Sequence, residues 1–185
     1  SLRPISAEIE AKIWVKYRLD WNFHSNNIEG NSLTFGETKS FLLHGITAEG
    51  KPLKDHLEAI GHAEAYDFLF TLVKNKTVQE QDIQQLHKLF YFRIDEKNAG
   101  KYRSSKEVIT GSKYPLPKPG DLPLLMKKLI PRIDQFRKEH HPVKAAALAH
   151  KEFVFIHPFF GKMTEEQIGI MAYKHSDHHL RQFNG

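Results

Sequence analysis

No cysteine occurs among the 185 residues, so neither a disulfide nor a thiolate zinc site can hold the chain together, and nothing argues for an oxidising compartment. No apolar run approaches the roughly 18 residues needed to span a bilayer, so no membrane segment is expected. The opening SLRPISAEIEAKIW is charged and periodic and lacks the basic stub and apolar block of a signal peptide, which makes a cytoplasmic location the simplest expectation. The excess of one charge is modest: 27 basic against 22 acidic residues, a formal +5. Lys and Arg are scattered and no helix clusters arginines, so a nucleic-acid-binding reading rests on net charge alone. Repeats and low-complexity segments are absent too. The length suits one core, and a single domain over residues 1–185 is expected.

What the chain does have is helical spacing. Ile5, Ile9, Ile13, Tyr17 and Trp21 recur every four residues and predict a long first helix with one apolar stripe. Thr34-x-x-Glu37 and Thr77-x-x-Glu80 have capping-box spacing, in which hydroxyl and carboxylate satisfy orphan amides, so helices are expected from about Phe35 and Val78. Gly45 is placed to stop the first of these. Leu57, Ala59, Ile60, Ala63, Tyr66, Leu69, Phe70 and Val73 mark a buried helix from about Leu53 to Lys74. Leu122, Leu125, Met126, Leu129, Ile133 and Phe136 follow the same period, as do Ala146, Ala149 and Phe153. The 13 phenylalanines read as core packing.

One stretch breaks the pattern. In GKYRSSKEVITGSKYPLPKP, residues 100–119, a short β-like run over Lys106 to Thr110 is followed by Gly-Ser and three prolines. That composition refuses a helix and suits a hairpin leading into an extended segment, where a backbone edge could be offered to a ligand or peptide. The expected fold class is therefore all-α with one β excursion.

Three stretches, in order, resemble the Fic family, named for filamentation induced by cyclic AMP. Ser25-Asn-Asn-Ile-Glu29-Gly30-Asn31-Ser-Leu33-Thr34 resembles the family's inhibitory-helix motif, here within residues 1–31. Asn98-Ala-Gly-Lys-Tyr-Arg103, running into Val108-Ile-Thr-Gly-Ser-Lys-Tyr-Pro115, resembles its flap hairpin. His157-Pro158-Phe159, behind His141-Pro142 and an Ala-rich helix, resembles the approach to its active-site loop. The resemblance implies a Fic-type helical bundle with a short β-hairpin flap, and transfer of AMP from ATP to a hydroxyl of a target protein. It makes His157 the catalytic base, a role suited to a group titrating near neutral pH. It makes Gly161, Lys162, Thr110 and Gly111 nucleotide-binding, Ser25 and Glu29 inhibitory, and Val108, Ile109 and Thr110 the flap that docks the target. ATP and Mg2+ are the implied cofactors. The partner is a target protein that the sequence does not name, and nothing in the sequence excludes a homo-oligomer.

The active-site loop, residues 157–163, departs from the family pattern HPFx(D/E)GN(G/K)RxxR after Phe159. Phe160 takes the free position, Gly161 stands where the magnesium-holding acid is expected, and Lys162 and Met163 stand where Gly-Asn is expected. No arginine follows until Arg181, so both phosphate clamps are missing. If one position is skipped, Gly161 matches the motif glycine, but Lys162 then replaces the asparagine and Thr164 the arginine. In either register no metal ligand remains. In the family the inhibitory glutamate pairs with the second arginine; for Glu29 that partner is absent, leaving it a solvated or capping acid or a partner for Lys162.

Residues 164–185 are atypical. Thr164-x-x-Gln167 again has capping-box spacing and predicts a helix from about Glu165 to Lys174, with Ile168, Met171 and Ala172 inward. The abrupt end of the resemblance points to a reading-frame change or truncation near Phe160, in which case another frame past Phe160 should encode a Gly-Asn-x-Arg-like run. His175, His178 and His179 have metal-like spacing, but with no cysteine and only Asp177 nearby, adventitious or no metal binding is expected. The function read from the sequence is a Fic-type transferase with impaired activity; the alternative is a non-catalytic remnant of the fold that binds nucleotide or protein.

Overall fold

The computed structural model describes residues 5–73, 75, 77–106 and 116–156, and every regular element among them is helical. The helices are α1 (Ala7–Ile28), α2 (Phe35–His44), α3 (Leu53–Leu72), α4 (Glu80–Tyr91), α5 (Leu122–Glu139) and α6 (Pro142–Ile156), with a 3-10 turn at Pro119–Asp121 leading into α5. Packing groups the chain into two units, Ser1–Asn75 with Gln81–Lys101, and Lys76–Glu80 with Tyr102–Gly185.

In the first unit α1, α2 and α3 pack against one another. Ser6 caps α1 by accepting from the Ile9 amide. Thr34 and Glu37 form the expected capping box, and α2 stops at Gly45, whose φ of 71° is the left-handed conformation that favours glycine. The apolar stripe of α1 is not its buried face. Ile9, Ile13, Tyr17 and Trp21 stay exposed, and Leu19, Asn22 and Asn26 face inward. The reason is geometric: at 3.6 residues per turn, a step of four overshoots a full circle by about 40°, so an every-fourth stripe winds round the helix. The two tryptophans of α1 are only partly covered, Trp14 edge-on against Phe70 at 4.9 Å and Trp21 edge-on against Tyr66 at 5.6 Å. α3 buries the small residues Ala59, Gly61 and Ala63 together with Tyr66, and it ends before Val73, which is exposed. Gly61, on the opposite side of the helix from Ala59 and Ala63, lets α4 approach closely, since a Cβ there would lie 2.3 Å from the Phe90 carbonyl oxygen.

In the second unit α5 and α6 pack together through a two-residue connection. Leu122, Met126 and Leu129 of α5 and Ala145 of α6 are buried, and Arg132 bridges to Glu152 at 2.8 Å. On α6, Ala146 is exposed, so the inward face lies one residue earlier than the Ala146–Ala149 spacing suggests. α4 begins at Glu80 and not at Val78. The groups that would cap it are committed elsewhere: the Val78 amide reaches Asp134 at 3.4 Å, Thr77 Oγ1 accepts from the Gln79 side chain, and the Glu80 carboxylate accepts from the Tyr102 hydroxyl at 2.6 Å. The hairpin at 107–115, the tail helix and its histidine cluster lie outside the described residues, as does the Phe153 side chain.

Candidate active site

The segment from Ser25 to Thr34 is held on α3 by a run of buried polar side chains. Asn22, the most completely buried large side chain among the described residues, donates to the Ala59 carbonyl at 2.7 Å and accepts from Asn26 at 3.1 Å. Asn31 donates to the Asp55 carbonyl and to Glu58 Oε2, both at 3.0 Å, while its own Oδ1 accepts from the Leu33 amide at 3.1 Å. The Asp55 carboxylate accepts from the Ser32 amide at 2.8 Å and the Ser32 hydroxyl at 2.5 Å. Burial pushes the Asp55 carboxyl up, but these two donors, with the nearby Lys54 ammonium, outweigh it, and its pKa lies below the ordinary value. His56 completes the clasp as a neutral ring: Nε2 accepts from the Ala48 amide at 3.0 Å, which makes Nδ1 the donor to the Pro52 carbonyl at 3.1 Å. Buried polar groups fully paired in this way define one geometry, because any displacement strands a donor or acceptor away from water.

Ser25 is half-buried near the end of α1, and Glu29 is the exposed residue that closes the helix, its amide bonded to the Asn26 carbonyl at 3.1 Å. Glu29 and Glu58 both bear on Tyr91, whose phenol is pushed up first by burial and then by these two carboxylates. Farther along the same unit, α4 and the turn after it enclose an open groove of about 490 Å³, with Gln84, Lys88, Phe92 and Lys101 among its walls. Gly100 seals the turn: its φ is +74°, a Cβ would sit 2.9 Å from that of Lys88, and its amide donates to His87 Nδ1 at 2.8 Å. Burial holds the His87 ring below its ordinary pKa, consistent with a nitrogen that accepts.

In the second unit α6 delivers the chain to its last described residue, Ile156, immediately before His157. His157, Gly161, Lys162, Val108, Ile109, Thr110 and Gly111 lie outside the described residues. What is described is the stem on either side of 107–115. Arg103 donates to the Ser105 carbonyl at 2.9 Å and to the Pro117 carbonyl. Sequence reasoning quoted Asn26, Asn31 and Arg103 inside motifs without giving any of them a structural role, and it passed over Asn22. The spacing of 22 and 26 was the available signal, but two asparagines one turn apart on a charged helix look like a solvated face.

Residues 77–161 match the model of the Fic/DOC family. The chain belongs to that family. It is 34% identical over 139 residues to the protein adenylyltransferase Fic of Drosophila willistoni and 36% identical over 142 residues to that of Drosophila melanogaster. Each match covers 74% of this chain, and the chain spans only 28% of the length of those relatives. Among solved structures it resembles a Fic-domain-containing signalling protein from Bacteroides thetaiotaomicron, with a TM-score of 0.76 and 27% identity over 87% of this chain and 63% of that one. It also resembles Fic-1, residues 134–508, from C. elegans, with a TM-score of 0.72 and 25% identity over 85% of this chain and 46% of that one.

Adenylyl transfer, the activity that names those relatives, usually employs a divalent metal on the phosphates. The donor set of this Fic loop does not fit such a metal. Magnesium is held by hard oxygen ligands, typically carboxylates, and the loop from His157 to Met163 contains none. No described helix is long and apolar enough to cross a membrane.

Proposed function

We propose that this chain is a Fic-type protein adenylyltransferase domain whose transfer step is strongly impaired. In the reaction implied by the family, a target hydroxyl gives its proton to the His157 imidazole as its oxygen attacks the α-phosphorus of ATP. The bond from that phosphorus to the bridging oxygen breaks, and pyrophosphate leaves. Charge builds on the phosphoryl oxygens during this exchange and has to be met by fixed donors and cations. His157 supplies the base, and Gly161 with Lys162 and the flap residues Thr110 and Gly111 supply what nucleotide contacts remain. Lys162 is a point charge and lacks the planar fork with which an arginine holds phosphate. Ser25 and Glu29 keep the inhibitory segment, while Val108 to Thr110 offer a backbone edge to the target. The acting compartment in this reading is the cytoplasm.

The observation that carries the reading is the loop itself, in which the base survives and the acid, the asparagine and both arginines do not. The same observation favours a second reading, a non-catalytic Fic fold that still binds nucleotide or protein. Labelled ATP separates them from an active enzyme. The chain as it stands is expected to transfer at least 100-fold less label to protein than a version with the family loop restored, and His157→Ala in the restored version is expected to abolish the gain. Efficient labelling by the unaltered chain overturns impairment, and ATP binding without transfer favours the second reading.

A further inference from the structure

We infer that Arg103 is a positioning residue that sets the spacing between the two ends of the segment 106–116. The inference rests on the reading of Val108 to Thr110 as the target-docking flap. The side chain is half-buried, and its two terminal nitrogens donate to carbonyls on opposite ends of that segment, Ser105 on one side at 2.9 Å and Pro117 on the other. Its Nε is buried with no partner among the described residues. Burying a guanidinium against two neutral carbonyls with a third donor stranded is a poor way to gain stability. Holding two chain ends at a fixed distance, by contrast, requires the rigid planar fork that only arginine provides. The neighbouring contacts anchor this clamp to the helices. Tyr102 donates to Glu80 at the start of α4, and Val78 beside it donates to Asp134 of α5. Residues 106–116 make a long connection, and the Arg103 contacts to Ser105 and Pro117 offset part of the entropy of holding its ends together. An edge strand can pair with an incoming backbone only if its stem is held in register, so the clamp acts on docking and not on the phosphate chemistry.

Hydrogen–deuterium exchange on this chain, on R103M and on R103K tests the assignment. R103M keeps the aliphatic stem and removes the fork; it is expected to raise exchange across 104–118 about tenfold while leaving α5 and α6 within twofold. R103K reaches one carbonyl at a time and is expected to fall between R103M and the parent. Unchanged exchange at 104–118 in R103M, an equal rise throughout α5 and α6, or full recovery in R103K overturns the inference. If R103M does not fold, R103K decides alone through a rise of at least threefold confined to 104–118. In the loop-restored chain, R103M is expected to cut transfer to protein about tenfold with the KM for ATP within twofold, and an equal rise in that KM overturns a docking role. If the loop-restored chain transfers nothing, the functional reading fails, while the exchange result still decides the role of Arg103.

Discussion

His62 shows how far burial can move a single group. It lies on α3 with its Nδ1 lacking any hydrogen-bond partner among the described residues, and its ring sits 6.1 Å from that of Phe90. Burial, reinforced by the charge of Arg18, pushes its pKa down to about 4. The folded protein therefore keeps the ring neutral where the unfolded chain protonates it. Between about pH 6.5 and pH 4 the unfolded state binds the extra proton, so stability is complete above this window and falls as the pH drops through it, by at most about 3 kcal/mol. His62→Leu is expected to flatten the fall of unfolding free energy between pH 7 and pH 4.5, measured by denaturant titration. Parallel curves for the two proteins would show that His62 is not the group responsible. None of this was legible in the sequence, where His62 is one of 12 histidines. Asn31 was half legible: its place in a motif could be read, but its bonds to Asp55 and Glu58 could not, because those partners lie 24 and 27 residues away.

At the scale of elements, spacing and caps carried most of the information. The capping box of α2, its left-handed stop and the extent of α3 follow from residues within one turn of each other, which is why they could be read before any packing was known. The start of α4 could not, since its capping groups bond to Asp134 and Tyr102. The crossing of α3 and α4 depends on Gly61, and a methyl there meets backbone that cannot rotate away. Gly61→Ala is expected to destabilise by more than about 2 kcal/mol, as overpacking does. Gly36→Ala, on the open side of α2 with nothing within 4 Å, is expected to be neutral or to stabilise by up to about 1 kcal/mol. Thermal melts of the pair check this, and equal shifts would mean that the close crossing is not maintained in solution.

For the whole molecule, the consequence of the altered loop is thermodynamic. With no carboxylate from His157 to Met163, magnesium is expected to leave ATP affinity within twofold in a calorimetric titration, and a tenfold gain would mean that a metal ligand comes from elsewhere in the chain. The sequence by itself determined the helical class, most helix limits and the family, because each is written in local spacing or in the identity of a few consecutive residues. Only the tertiary structure decided which faces are buried. It turned α1 away from its every-fourth stripe, put Asn22 in the interior, set Gly61 of α3 against the backbone of α4 and brought the Arg103 fork to the Pro117 carbonyl, 14 residues away. The physical reason is that burial and hydrogen-bond satisfaction belong to pairs of segments far apart in the chain, and a single segment's pattern holds only its own half of each pair.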